Sequence, residues 1–305
     1  MKAVVTGGAG LIGSHLVDQL IALGFDVHVI DNLSTGDLAN VHPKATLHQL
    51  DIRSQEAKNV IKKERPAVVF HQAAQVVVQC SIRDPKHDAS VNILGTINML
   101  EACCEASVQA FVYASSCAVY GDLHAGVITE EDPVNPISFY GASKLAPELY
   151  IRVFHQMYGL PYTILRYANV YGPRQTPHSE GGVVAIFLDR IRRGLPLLIH
   201  GDGEQTRDFV YVKDAVRANI AAMYRNQNRV IQVGTATATS INQLVAMLRY
   251  IHCSEIKVTY EPERPGDIKH SCLDYSQNRR QLLWSPQYDL LQGLTETYSS
   301  VMKRV

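Results

Sequence analysis

At 305 residues the chain is long enough for one large domain or two modest ones, with ample core. Lysine plus arginine equals aspartate plus glutamate at 29 each, so the net charge is zero and no general attraction to nucleic acid or an anionic membrane follows. Six cysteines (Cys80, Cys103, Cys104, Cys117, Cys253, Cys272) without CxxC spacing read as buried, reduced thiols, and no apolar run approaches the roughly 20 residues that span a bilayer.

The first run, KAVVT, reads as a strand that starts directly after Met1, so no signal peptide and a cytoplasmic location are expected. TGGAGLIG, Thr6 to Gly13, follows it and opens a helical run, LIGSHLVDQLIALG. Gly7, Gly10 and Gly13 would let the backbone turn tightly, approach a pyrophosphate and pack the helix on the sheet, with exposed N–H groups facing the phosphates. A glycine-rich turn alone is weak, but here the strand-turn-helix context accompanies it. The next strand, DVHVID, ends in Asp31, whose carboxylate suits a ribose diol and repels a 2′-phosphate. That favours NAD as the cofactor. A third strand, TLHQL, is expected to close at Asp51 and Ile52, which would border the adenine.

Further on, the strands AVVFH, AFVYASS and YTILRY are separated by helical patterns such as VNILGTINMLEACCEA. Strands alternating with helices of this length predict βαβ units, hence an α/β fold with a Rossmann-type, doubly wound parallel sheet. After Tyr167 the rhythm changes to a loop-rich stretch, NVYGPRQTPHSEGG, shorter elements and a final helix near Leu291–Arg304. We expect a cofactor-binding domain over 1–167 and a smaller α/β substrate domain over 168–305, with interleaved segments.

In such folds ligands lie beyond the C-terminal strand ends. Ser115 and Ser116 end one of these strands, and SFYGASKLAPELY follows, with Tyr140 and Lys144 one helical turn apart on a shared face. For a tyrosine to act as a base at neutral pH, its pKa must fall from about 10 toward 7. That is about 4 kcal/mol, which an adjacent ammonium and a cationic nicotinamide are expected to supply. Tyr140 is the only tyrosine with a lysine four residues later. Ser138 is a plausible N-cap, which puts Pro147 in the third turn. The proline should bend the helix after the pair and leave the Tyr140–Lys144 turn intact. The twelve histidines show no paired metal-ligand spacing, so no metal is expected and most should lie on the surface.

Taken together, TGGAGLIGSH, DNLSTG, HQAAQ, SVNILGTINMLEAC, SSCAVYG, YGASK, LRYANVYGPRQ, GDGEQTRDFVYVKD and RPGD resemble the extended short-chain dehydrogenase/reductase family. Within it, the chain is similar to the UDP-glucose (UDP-hexose) 4-epimerases. The resemblance implies that Tyr140 is the base, Lys144 its electrostatic partner and Ser116 a proton-relaying hydroxyl. It implies that Leu11, Ile12, Asn32, Ser34, Thr35, Gly36, Ala73, Ala74, Gln75, Asn92 and Tyr167 join Asp31, Asp51 and Ile52 along NAD. On the substrate side it implies Asn169, Arg207, Arg264 and Asp267 around the nucleotide diphosphate and ribose, two arginines being suited to clamp a pyrophosphate. Without the resemblance, Arg207 beside Asp208 reads equally as a surface ion pair. The implied reaction oxidises C4 of a UDP-sugar, turns the 4-keto sugar, and returns the hydride to the other face. A homodimer paired through the helices near 88–106 and around Pro147 is also implied.

The chain departs from the family pattern at Pro147, and at Val77 and Ala118, where some relatives carry hydroxyls. The small Ser271 should leave room for a 2-acetamido group. Alternatives are a UDP-uronate 4-epimerase drawing on Arg83 or Arg174, another nucleotide-sugar enzyme of the same family, or a non-catalytic NAD sensor. Cys117-Ala118 lacks the acid pair that a dehydratase would place there.

Overall fold

The computed structural model describes residues 1–123, 126–177, 182–225, 228–263 and 268–303. In chain order the strands are β1 (Lys2–Thr6), β2 (Asp26–Ile30), β3 (Thr46–His48), β4 (Val68–His71), β5 (Ala110–Ser116) and β6 (Tyr162–Tyr167). They continue as β7 (Asn169–Tyr171), β8 (Leu197–His200), β9 (Thr206–Tyr211), β10 (Arg229–Val233), β11 (Ala238–Ser240) and β12 (Val258–Glu261). The helices are α1 (Leu11–Ala22), α2 (Gln55–Glu64), α3 (Val78–Arg83), α4 (Pro85–Ala89), α5 (Gly95–Glu105) and α6 (Phe139–Tyr158). After them come α7 (Val183–Arg192), α8 (Val212–Tyr224), α9 (Ile241–His252), α10 (Ser276–Gln281) and α11 (Leu290–Met302).

The main sheet is seven-stranded, in the order β10-β6-β5-β4-β1-β2-β3, and every pairing in it is parallel. Val68–His71 and Tyr162–Tyr167 are buried at every position, as the continuous apolar runs of a doubly covered sheet require. One face packs Leu16, Val17 and Leu20 of α1 and Ala215, Ala218 and Ala222 of α8. The other packs Ile61 of α2, Met99 and Leu100 of α5, and Ile151 of α6. The sheet is thus the Rossmann-type, doubly wound one expected.

A third core, with Phe187, Leu188, Leu244, Leu248 and Leu294, lies under two small sheets, β11-β9-β7 and β12-β8. The chain crosses between the two parts: β10 comes from beyond residue 167 yet extends the main sheet beside β6.

Two expectations need correction. The third strand stops at His48, although its pairing with β2 carries on as Leu50 N donates to the Asp31 carbonyl, and the chain then turns at Asp51, whose carbonyl accepts from Ser54 N. The helix that carries Pro147 runs on through the buried proline to a left-handed Gly159 cap, and the Tyr140–Lys144 turn is helical. Among the histidines, His71 is buried, held between the hydroxyls of Thr6 (2.8 Å) and Thr96 (3.0 Å). All six cysteines are free thiols, but Cys80 and Cys253 are exposed.

Candidate active site

The turn after β1 has no space for side chains. Gly7 has φ +68° and donates its N–H to the Ile30 carbonyl at 2.8 Å, and a Cβ there would sit 2.7 Å from the Ala73 nitrogen. A Cβ on Gly13 would collide with the Gly7 carbonyl oxygen. Gly10 is the N-cap of α1 and no side chain caps that helix, so the positive end of its dipole faces the turn. At the end of β2 the buried Asp31 accepts from Ala9 N (2.9 Å) and Leu33 N (2.8 Å), with Gly36 close beside its carboxylate. Asn32 donates to Asp51 at 3.2 Å, and its own oxygen takes Ser34 N at 3.0 Å. Arg53 grips Asp51 at 2.7 Å and holds that carboxyl down at about 2. Ile52 is buried and Thr35 exposed. A glycine turn closed to side chains, a helix start without a side-chain cap and a carboxylate at the next strand end fit the pyrophosphate and ribose of NAD.

Beyond β4, Ala73 N donates to the Thr6 hydroxyl at 3.2 Å, and Gln72 reaches Asn219, which in turn donates to the Tyr167 hydroxyl. Gln75 and Asn92 bind each other twice, Gln75 N to Asn92 Oδ1 (2.8 Å) and Asn92 Nδ2 to the Gln75 carbonyl (3.0 Å). Asn92 sits in a π-turn over Ser90–Leu94, and its amide also reaches Ser143 of α6 at 2.9 Å. The Asn92 amide therefore braces the loop that follows Ala74 and the helix that carries Lys144. Such π-turns commonly re-aim a side chain at functional sites.

The adjacent serines diverge, as alternation along a strand dictates. Ser115 turns inward and donates to Glu148 at 2.6 Å. Ser116 turns outward, where its hydroxyl accepts from Ala118 N (3.1 Å) and lies toward the Tyr140 phenol. Ser138 caps α6 by accepting from Gly141 N at 3.0 Å, and Tyr140 N donates to the Ser81 hydroxyl at 3.1 Å. The helix start is thus fixed at two points. Lys144 is 4 % exposed, with its ammonium 4.9 Å from the centroid of the Tyr113 ring. Burial brings that ammonium down to about 8, against the opposing pull of Asp88 and Glu148. Burial also pushes the Tyr140 phenol up to about 12, and the nearby Ser116 hydroxyl is what pulls it back. Desolvation thus outweighs the favourable contacts that the chain itself provides, and the lowered phenol that was expected depends on the nicotinamide charge as well.

One turn beyond Lys144 lies a cluster that sequence reading missed. Arg166 of β6 grips the fully buried Glu148 through Nε (3.0 Å) and Nη2 (2.6 Å), and donates through Nη1 to the Tyr120 hydroxyl (2.8 Å). Gln232 of β10 donates to the same hydroxyl at 2.7 Å. The spacing of Glu148 four residues after Lys144 was the available signal. Asp88, buried four residues before Asn92, was missed as well.

On the substrate side, Asn169 opens β7 with a buried Oδ1 that has no hydrogen-bond partner among the described residues. Arg207 of β9 donates to the Thr206 carbonyl at 2.8 Å. Its neighbour Asp208 is buried and tied instead to Thr235 (N at 2.9 Å) and Leu273 N (3.1 Å), so the surface ion-pair alternative does not describe it. Desolvation lifts the Asp208 carboxyl to about 6. Ser271 is buried beside the Cys117 thiol. Arg264 and Asp267 lie outside the described residues. Arg83 is exposed on α3, and Arg174 pairs with Asp18 of α1 at 2.7 Å.

The model of the NAD dependent epimerase/dehydratase family matches residues 3–234. A putative UDP-glucose 4-epimerase of Methanocaldococcus jannaschii is 42% identical over 292 residues, which cover 95% of each chain. The crystal structure of a UDP-glucose 4-epimerase from Thermotoga maritima with UDP-glucose superposes with a TM-score of 0.97 at 43% identity, covering 100% of this chain and 99% of that one. That of a UDP-glucose 4-epimerase from Thermus thermophilus complexed with NAD gives 0.95 at 39% identity, covering all of both chains. The chain belongs to the NAD dependent epimerase/dehydratase family.

Proposed function

We propose that this chain catalyses the NAD-dependent epimerisation of a UDP-hexose at C4, interconverting UDP-glucose and UDP-galactose. The observation that carries this reading is that Ser116 at the end of β5 and Tyr140 with Lys144, one turn apart at the start of α6, come together beyond the strand ends beside the glycine turn, close enough for the Ser116 hydroxyl to act on the Tyr140 phenol. Bound NAD supplies the acceptor that takes the C4 hydride and gives it back. Tyr140 takes the proton of the sugar 4-hydroxyl, directly or through Ser116, and returns it when the carbonyl is reduced. The Lys144 ammonium favours the phenolate by its positive charge, and the charge of the bound nicotinamide acts in the same direction on a phenol that burial alone holds high. Along the cofactor, Gly7, Gly10, Gly13 and Asp31 hold the pyrophosphate and ribose. Asn169 and Arg207 hold the UDP while the sugar turns, with Arg264 and Asp267 proposed beside them on sequence grounds. Retaining the nucleotide through both half-reactions is what allows one base to serve both faces.

The small, buried Ser271 supports acceptance of a 2-acetamido sugar as well. The engagement of Arg174 with Asp18 weighs against a uronate carboxylate being read there. A dimer is supported by Leu149, Val153 and Met157, exposed at four-residue spacing along α6 and so forming one apolar stripe. Six free thiols support a cytoplasmic setting. The test is incubation of the purified protein with UDP-galactose and, separately, UDP-N-acetylglucosamine without added NAD, followed by proton NMR of the anomeric signals. Conversion of UDP-galactose to UDP-glucose is expected, together with formation of UDP-N-acetylgalactosamine. No change in either, even with NAD supplied, would overturn the reading.

A further inference from the structure

Asp88 is 1 % exposed, in the first turn of α4, which packs against α6. Its Oδ1 accepts from Gln75 Nε2 (2.6 Å) and Asn92 Nδ2 (3.3 Å), while its Oδ2 is buried without a hydrogen-bond partner among the described residues. Among the described residues no arginine, lysine or histidine lies within ion-pair distance of it. A buried carboxylate in that position is costly unless a charge answers it.

The titratable and charged groups of the elements packed around it identify that charge. On α6 stand Tyr140, Lys144 and Glu148. Behind them are His71 of β4, brought down to about 3 by burial and hence neutral, and Tyr113 of β5, whose phenol burial raises. Cys117 adds a thiol that burial raises. Arg83 of α3 and Lys86 and His87 of α4 itself lie toward solvent. The Glu148 charge is already matched by the bidentate Arg166. Asp88 is therefore a buried negative charge, with one oxygen unpartnered among the described residues, on the helix packed against the one that carries Tyr140 and Lys144, and both of those residues register its field.

We propose that Asp88 is a positioning residue that sets the protonation of the catalytic pair, keeping Lys144 charged against its burial and setting where Tyr140 titrates, while bracing Gln75 and Asn92. The proposal rests on the functional reading above for its kinetic arm alone. A negative charge raises the pKa of every neighbour, so removing it must lower Tyr140 and Lys144 together.

Asp88→Asn is close to isosteric: its oxygen can keep accepting from Gln75 and Asn92, and its NH2 falls where Oδ2 has no partner. The holoenzyme is titrated by ultraviolet difference absorbance of tyrosinate, with Tyr140→Phe as the blank, and its pH–rate profile is recorded with UDP-galactose. In Asp88→Asn the Tyr140 transition and both limbs of the profile are expected to move to lower pH by roughly one unit, while Asp88→Glu stays near wild type. Asp88→Ser should give the same shift if the amide variant fails to fold. A Tyr140 transition that stays in place in the neutral variants, or limbs that move apart, would overturn the proposal. A shifted phenol in a protein that epimerises no UDP-hexose would keep the proposal and sink the functional reading.

Discussion

One turn of α6 separates two buried charged residues that are treated in opposite ways. At Glu148 every charge has a partner: two hydrogen bonds from Arg166, one from Ser115, and Tyr120 and Gln232 closing the far side. At Lys144 the ammonium lies over an aromatic ring with no carboxylate in ion-pair distance among the described residues, and its pKa falls to about 8. The contrast separates two uses of burial. Full pairing fixes the helix against β5 and β6, whereas incomplete pairing leaves a proton free to be traded. The site depends on both, since the labile corner holds its geometry only because the next turn does not move.

The largest expected effect tests the labile corner. Tyr140→Phe deletes the phenol that exchanges the proton, and kcat should fall by about 10²- to 10⁴-fold. Thermal stability and copurified NAD should stay near wild type, because the cradle at Gly7, Gly13 and Asp31 is untouched. A variant that kept a tenth of wild-type kcat would remove Tyr140 from the proton path.

Glu148→Gln tests the paired corner. Breaking the pair leaves the Arg166 guanidinium buried without its carboxylate, which should cost about 3–5 kcal/mol of stability by chemical denaturation. Loss of less than about 1 kcal/mol would mean that the cluster is not what anchors α6.

Legibility in the sequence follows the same division. The glycine turn, Asp31 and the Ser138 cap were readable because each is local: a strand, a turn and a helix start within a few residues. Glu148 was not, since a glutamate in an amphipathic helix looks solvated until β6 brings Arg166 against it. His71 and Asp88 escaped for the same reason. Ser115 and Ser116 were both visible as candidates, and the resemblance chose Ser116, but only the strand's pleat shows where Ser115 goes. The upward push of burial on the phenol was not legible, because desolvation is a property of the closed fold, not of the four-residue spacing to Lys144. β3 ends at His48, yet its pairing with β2 continues to Leu50, the last residue of the run TLHQL, before the turn at Asp51.

Lys144→Met sharpens the comparison by separating stability from function. The folded-state pKa of Lys144, about 8, lies below its ordinary 10.5, so between these values the unfolded chain binds more protons. Stability therefore rises as pH climbs from about 8 to 10.5, and below 8 the full penalty of burying the ammonium remains. Removing the charge should stabilise the protein by about 2 kcal/mol at neutral pH, after the lost contact with Tyr113 is allowed for, while activity collapses. An unchanged or lowered Tm would mean that the ammonium is better compensated than its surroundings indicate.

The smallest effects come from the two serines, and they cut between the corners most finely. Ser115→Ala removes one hydrogen bond to a buried carboxylate that keeps its two bonds from Arg166, so the cost should be about 1–2 kcal/mol of stability with kcat within about twofold of wild type. Ser116→Ala removes a hydroxyl that lies toward the Tyr140 phenol and accepts from Ala118 N. Stability should change by about 0.5 kcal/mol or less, since Ser116 is only half-buried and water can replace the acceptor. Its kcat should fall about tenfold or more, and the Tyr140 transition should move to higher pH, because the hydroxyl that lowers it is gone. Swapped outcomes, with Ser115 governing rate and Ser116 governing stability, would mean that the pleat of β5 does not divide the two roles between its faces.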